Sequence, residues 1–562
     1  MVDADAIEDL FASLGNPGRY HILIFFLTNV CNFWCIINYV IVSNMIAITP
    51  NHRCDVSSWY LKEFHRTNPN ITFEDLQFNS CFVSLKNDTS IGRQIIVCQK
   101  WAYDAVDGRY VESLVTKWDL VCDKKYYIML STTIFFVGVL IGALSLSHLA
   151  DRFGRRRVIL CSGFSTMIIM TCSIWSTDIY VYTALRFVGG IVLNSIHSSL
   201  HVLGLEMAPK HLNVFLSFLF ITTFIGTLAV GSLIGWLVMV WWKIQLYLSI
   251  VPLVSLIIAY FYLPESFKWL VVHRKKDELL YYVQQAAKFN GVPVPDIKSI
   301  TEQIDPKENE VSEKAGNHDN LLDKKHGSPE MRRVSFCEMM RNGELRKRLF
   351  LGCCLSLTAT LSFYISAMNV GRLSSHPYKV MLMSASLDII PLIFTYHFSL
   401  KFGKRRIALV GLAITAIFSI CYRIYNHIAL VVIGKMFVGL AAGMVFTINV
   451  DIYPTVVRNT CNGLSIAFGR FGGILGPQVV LLGVYTTPDN PVLVVGILTL
   501  MAAVCLYILP DMRKHNHPNT LQDLKEYRKN RKTAKTNKKN RDKESKELIE
   551  PELKPFEESD VV

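Results

Sequence analysis

The chain has 562 residues, 51% of them hydrophobic and only 18% charged. A soluble domain usually carries about 25% charge, and a single core stops growing near roughly 250–300 residues. Here the apolar residues come in runs of about twenty, enough to cross a hydrocarbon layer roughly 30 Å thick, which excludes an ordinary soluble enzyme and a disordered protein. The 58 Lys+Arg against 45 Asp+Glu leave +13, an excess that raises nucleic acid but in a membrane protein collects on cytosolic loops.

In chain order, residues 1–21 read as a cytosolic N-terminus. Asp3, Asp5, Glu8 and Asp9 stand where a signal peptide needs basic residues, so the first span is expected to be its own insertion signal. The apolar runs predict an all-α membrane protein with about twelve spans. They centre on 22–48, 127–149, 158–175, 180–203, 214–238, 244–263, 349–368, 380–400, 407–422, 429–450, 463–483 and 491–509. A cytosolic linker at 264–348 divides them into six-helix bundles at 22–263 and 349–509, and a basic cytosolic tail fills 510–562. With the N-terminus inside, the short cytosolic loops hold ten basic residues and the short outer loops four, which orients the chain.

Loop 49–126, inserted in the first bundle, carries the two N-x-[ST] sequons, Asn70 and Asn87, and Cys54, Cys81, Cys98 and Cys122. Sequons and four cysteines on the oxidising side point to glycosylation and two disulfides, with three pairings open and free thiols as the alternative. No CxxC spacing supports zinc. In the linker, 274–290 and 330–348 have helical character and 300–330 is polar. Ser335, in Arg332-Arg-Val-Ser335, has the pattern of a basophilic phosphorylation site, a solvated turn being the plainer alternative. Residues 511–546 hold thirteen Lys/Arg against five Asp/Glu, which suits anionic lipid or solvated disorder. Nucleic acid fits poorly, since only Tyr527 is there to stack on a base.

An internal repeat supports the division. Asp151-Arg-Phe-Gly-Arg-Arg-Arg-Val-Ile-Leu160 is echoed by Leu400-Lys-Phe-Gly-Lys-Arg-Arg-Ile-Ala-Leu409 at an offset of 249. Arg186-Phe-Val-Gly-Gly is echoed by Met436-Phe-Val-Gly-Leu at 250, and Glu206-Met-Ala-Pro209 by Asp451-Ile-Tyr-Pro454 at 245. Two parallel six-helix repeats are an architecture of secondary transporters, with the substrate held between them near mid-bilayer.

Asp151-Arg-Phe-Gly-Arg-Arg resembles the loop signature of the major facilitator superfamily. More narrowly, Thr49-Pro-Asn-His-Arg-Cys54, Trp118-Asp-Leu-Val-Cys122, Leu263-Pro-Glu-Ser-Phe-Lys-Trp-Leu270 and Tyr453-Pro-Thr-Val-Val-Arg-Asn459 resemble the organic cation/anion/zwitterion transporter family, which includes carnitine transporters. Ser147, Asp451 and Leu400 depart from the usual Gly, Glu and Asp. The resemblance implies a plasma-membrane transporter moving small organic ions by alternating access, its partners being the substrate, the bilayer and a counter-ion or exchange substrate. Asp151, Arg155, Glu206, Asp451 and Arg458 stand at the cytosolic ends of helices where the halves meet. They are expected to latch the inner gate in one state and part in the other; solvated loop charge is the alternative.

Ionisable residues inside spans default to function. Arg470 lies mid-span in Ala-Phe-Gly-Arg-Phe-Gly-Gly, Asp388 mid-span in Ser-Leu-Asp-Ile-Ile-Pro, and His197 and His201 one turn apart on the fourth span. Arg186 reads as nearer the outer end of that fourth span, and Lys435 and Arg423 as near enough to helix ends to snorkel. In the family that the chain resembles, anion and zwitterion transporters tend to carry Arg at the position of Arg470, where its fork would grip a carboxylate. Phe363 and Tyr364 match an aromatic pair lining that family's cavity. A direct Arg470–Asp388 pair is the structural alternative. The reading is an organic anion or zwitterion transporter, against an organic cation transporter or a non-transporting receptor or scaffold. No phosphate loop, His-Glu-x-x-His or Gly-x-Ser-x-Gly motif occurs, so neither enzyme activity, a cofactor nor a resident metal is expected.

Overall fold

The computed structural model describes residues 4–15, 18–44, 46–55, 72, 75–85, 96–106, 108–295, 336–374, 376–454, 457–487 and 489–509. Asn70, Asn87, Ser335 and the basic tail lie outside these described residues.

A short helix, α1 (Ala4–Ser13), turns Leu10 and Phe11 inward, and Leu14 just past its end is buried too. The first half then runs α2 (Arg19–Asn44), α3 (Tyr126–Ser145), α4 (Arg155–Cys172), α5 (Ile179–Glu206), α6 (Asn213–Val238) and α7 (Trp241–Tyr262). In the linker, α8 (Lys276–Asn290) buries Leu279, Val283, Ala286 and Ala287, and Asn290 ties it to the N-terminus by donating to the Leu14 carbonyl and accepting from the Tyr20 N–H. The second half comprises α9 (Gly343–Asn369), α10 (Pro377–Leu387), α11 (Ile389–Phe402), α12 (Lys404–Tyr425), α13 (Ile428–Ile452), α14 (Arg458–Tyr485) and α15 (Asn490–Ile508).

Among the described residues, eleven helices are long and apolar enough to cross a membrane. The run at 380–400 is not one of them, because it is split at Asp388 into α10 and α11. Pro391 has no N–H to offer the carbonyl four residues back, which belongs to Leu387, the last residue of α10.

Glycines let the helices touch. A Cβ at Gly138 or Gly142 of α3 would run into the α5 backbone at Phe187 or Ile191, the close approach that helices use where burial of apolar surface gives no driving force. The halves meet through α3 against α14 and α6 against α10. Gln478 donates to Thr133 at 2.7 Å, the Thr133 hydroxyl donates to the Ile474 carbonyl at 3.4 Å, and Phe136 meets Tyr364 edge-on at 4.8 Å.

Loop 49–126 forms two small sheets. β1 (His52–Cys54) pairs antiparallel with β5 (Trp101–Tyr103), and β2 (Leu76–Phe78), β3 (Phe82–Leu85) and β4 (Ile96–Val97) form the other. Of the three open pairings the structure has Cys54–Cys98 and Cys81–Cys122. Trp118 seats the loop on the first half, its ring 5.6 Å from Tyr182 and 6.1 Å from Trp241.

Candidate functional site

Arg470 is built into α14 by its neighbours. A Cβ on Gly472 would stand 2.7 Å from the Leu361 N–H nitrogen and one on Gly469 3.2 Å from the Thr360 hydroxyl, so these positions seat α14 on α9. A Cβ on Gly473 would stand 2.5 Å from the Phe136 ring of the first half. The arginine between them lines a cavity of about 50 Å³ together with Tyr364 and, from the first half, Ile36, Val139, Asn194, His197 and Phe224. A water needs roughly 10–15 Å³ and a small-molecule site roughly 300–1,000 Å³, so in this conformation the space suits a few waters and must widen to take an organic ion.

The guanidinium has no acidic partner among the described residues. Asp388 does not supply one. Its carboxylate lies 2.6 Å from Lys435 Nζ, which also donates to Ser384 at 2.8 Å, and acid and base are 5% and 4% exposed. The Arg470–Asp388 pair is therefore absent, and Lys435 is two turns inside α13 in a buried ion pair rather than snorkelling. Arg186 likewise is 3% exposed, its guanidinium 4.7 Å from the Phe135 ring.

The other expected residues divide. His197 lines the cavity and its Nδ1 is 2.9 Å from the Asn32 side-chain oxygen. His201 stands beside it on the same face, and Phe220 packs on both rings, at 5.2 and 4.6 Å. Tyr364 is on the wall; Phe363 is behind it, 6.3 Å from Phe224, a lining residue. Asn194, one turn before His197, was passed over although its spacing put it on the same face. Among the described residues the single metal-type cluster is His52, Cys81 and Cys122, and its cysteines are joined in a disulfide.

At the opposite end from the disulfides, the five expected gate charges pair inside their own halves. Arg155 lies 2.9 Å from Asp151 and 3.0 Å from Glu206. Lys404, its counterpart in the repeat, lies 2.9 Å from Asp451, while Arg458 donates to the Tyr453 carbonyl at 3.3 Å. Glu265, in the Leu-Pro-Glu-Ser motif, is an added member that sequence reasoning left without a role. It accepts from the N–H groups of Arg155 at 2.7 Å and Arg156 at 3.2 Å, capping α4 in place of Gly154, which has no side chain. Burial raises its carboxyl above the usual range, against the pull of the Ser266, Arg156 and Arg155 N–H groups and the Arg155 charge. Trp269, four residues on, donates to the Asp151 carbonyl at 2.8 Å.

Long apolar helices in two repeated halves, with a cavity between them, define a membrane transport protein. Residues 125–477 and 380–538 match the Major Facilitator Superfamily, and the chain belongs to it. Curated relatives are members of solute carrier family 22, organic ion transporters as the motifs led one to expect, and not enzymes. Solute carrier family 22 member 7 of Mus musculus is 29% identical over 437 residues, 76% of each chain. Solute carrier family 22 member 16 of Bos taurus is 26% identical over 564 residues, 92% of this chain and 94% of that one. The Equus caballus protein called steroid transmembrane transporter SLC22A24 is 26% identical over 569 residues, 92% of this chain and 96% of that one. Among solved structures, the proton:xylose symporter XylE bound to 6-bromo-6-deoxy-D-glucose shares the fold, with a TM-score of 0.55 at 12% identity over 90% of this chain and 99% of that one. The inward-open form of XylE gives 0.53 at 12% identity, again over 90% and 99%.

Proposed function

We propose that this protein moves small organic anions, or zwitterions bearing a carboxylate, across the plasma membrane by alternating access. In this reading the bundles 22–263 and 349–509 rock about the Arg470 cavity, and both termini and the linker 264–348 face the cytosol. The observation that carries the substrate charge is Arg470, a guanidinium without an acidic partner among the described residues, on the wall of the cavity between the halves. Because Lys435 neutralises Asp388, the fixed charge near the cavity is positive, which favours a monoanion over a zwitterion and repels a cation. Tyr364 and Phe224 give the apolar wall that a cargo with a hydrophobic body needs, and one relative's name, steroid transmembrane transporter, is consistent with such a body.

The halves touch through Thr133 and Gln478 on the disulfide side of mid-helix and through Phe136 near its middle, and in this reading the conformation is one closed to the outside. Asp151, Arg155, Glu206, Asp451 and Arg458 pair within their halves here; in the opposite state they exchange partners across the inner gate. A counter-ion or an exchanged substrate supplies the driving gradient, and the tail at 511–546 rests on anionic lipid.

Arg470→Ala tests the reading. Loss of one charge-assisted grip on a carboxylate costs about tenfold or more, so anion uptake into expressing cells should collapse while surface abundance, read by biotinylation, stays normal. Anion uptake undiminished in Arg470→Ala would sink it. Competition by tetraethylammonium but not by hydrophobic carboxylates would select an organic cation transporter instead. No uptake across a broad panel, with ligand binding to loop 49–126, would select a receptor.

A further inference from the structure

A second cavity, of about 430 Å³, lies at the disulfide end, between the base of loop 49–126 and both halves. That volume falls in the range of small-molecule sites. Met129 of α3, Met368 of α9, Met381 of α10 and Val480 of α14 give it apolar walls. Two cations line it, Lys125 just before α3 in the first half and Arg372 just after α9 in the second. Arg372 is exposed and, among the described residues, makes one weak contact, an N–H toward the Met129 sulfur at 3.9 Å. Neither cation has a carboxylate partner among the described residues. Among the described residues Asp104 is the acid on the wall, and it is solvent-exposed. His52 adds no charge near neutral pH, since burial, aided by Lys125, pushes its imidazole below the usual range against the pull of the Pro50 carbonyl and Asp104.

Among the described residues, two cations against one exposed carboxylate, over methionine walls that adapt to varied shapes, fit a single class of ligand. We propose that this cavity is a second binding site, separate from the Arg470 cavity, for an organic anion with an apolar body. Because Lys125 and Arg372 belong to different halves, an anion held by both ties the halves together where they already touch. Its occupancy therefore stabilises the outwardly closed state and slows transport without competing for the central cavity.

The test uses the purified full-length protein and 1-naphthalenesulfonate as probe, with neutral 1-methylnaphthalene as control, reading the rise in melting temperature. The expected result is saturable stabilisation by the sulfonate alone, with affinity about tenfold weaker in Arg372→Gln and in Lys125→Gln. Arg372→Lys should restore most of it, which separates lost charge from a misfolded turn, and Arg470→Ala should leave it unchanged. Applied to the outer face of cells, the sulfonate should lower maximal uptake of a transported anion without raising its KM. Stabilisation lost in Arg470→Ala but kept in Arg372→Gln would move the ligand to the central cavity and overturn the proposal. Equal stabilisation by the neutral control, or none by the sulfonate, would overturn it as well. If Arg470→Ala transports normally, the central substrate reading fails and this site stands.

Discussion

Lys435 and Asp388 lie 2.6 Å apart with 4% and 5% of their surfaces exposed, so among the described residues each ion is compensated by the other, with Ser384 accepting from Lys435 as well. Removing one partner of such a pair costs about 3–5 kcal/mol, whereas replacing both by apolar residues is often neutral. Lys435→Met is therefore expected to lower the melting temperature of the purified protein sharply, and Lys435→Met with Asp388→Leu to recover most of the loss; a double variant as unstable as the single one would refute the pairing argument. Glu265 makes a second case, with pH as the variable. Its raised carboxyl contributes stability that is complete below the unfolded value of 4.5 and drains away as pH rises through the folded value. The native protein should thus lose stability relative to Glu265→Gln as pH climbs from 4.5 toward neutrality, and a melting-temperature difference that stays flat with pH removes Glu265 as the titrating group. Arg470 was legible because a lone guanidinium in a glycine-flanked apolar run has few places to go. Lys435 was not, because hydropathy places span ends only to within a turn or two, and at that precision a buried lysine and a snorkelling one look the same.

Helix starts and breaks show the same division between local and distant causes. Gly154 precedes α4 at φ +98° and Gly403 precedes α12 at φ +94°, matching points of the repeat. Any side chain there is strained by about 1–3 kcal/mol, but at Gly154 the added Cβ would also strike the Glu265 carboxylate that caps the helix. Gly154→Ala should therefore lower the melting temperature more than Gly403→Ala does; equal losses would mean that the cap from Glu265 adds nothing. The glycines were legible in the repeat itself, whereas the cap was not, because it comes from a residue 110 positions further along the chain. The break between α10 and α11 is intermediate. The sequence reads as one span over 380–400 despite Pro391, and Pro252 and Pro477 do sit inside unbroken helices, so proline alone does not decide. At Asp388 the junction residue is also drawn into the pair with Lys435, and that partner lies on another helix.

Across the whole molecule, the echoes read from the sequence become matching contacts. Arg156 donates to the Tyr260 carbonyl at 2.6 Å and Arg405, its counterpart, to the Tyr507 carbonyl at 2.7 Å. Arg155 pairs with Glu206 as Lys404 pairs with Asp451. The charged residues were legible as repeated loop motifs, but their carbonyl partners were not, because these lie 104 and 102 positions further along the chain; the β-strands of loop 49–126, two to four residues long, are likewise too brief to show a periodicity of their own. Two repeated bundles can alternate only if they separate on the side where they now touch, and the Gln478–Thr133 hydrogen bond at 2.7 Å marks that side. Replacing both residues, Thr133→Cys and Gln478→Cys, should let an added oxidant join the halves. Since a covalent bond of about 2 Å cannot follow the separation, uptake should fall by about tenfold or more, the fold-change of even a modest barrier, and return on reduction. The native chain treated alike controls for its exposed Cys161 and Cys172. Full uptake by a protein shown on gels to be cross-linked would mean that the halves do not part at Thr133, and rocking about the Arg470 cavity would have to be abandoned for a motion confined to single helices.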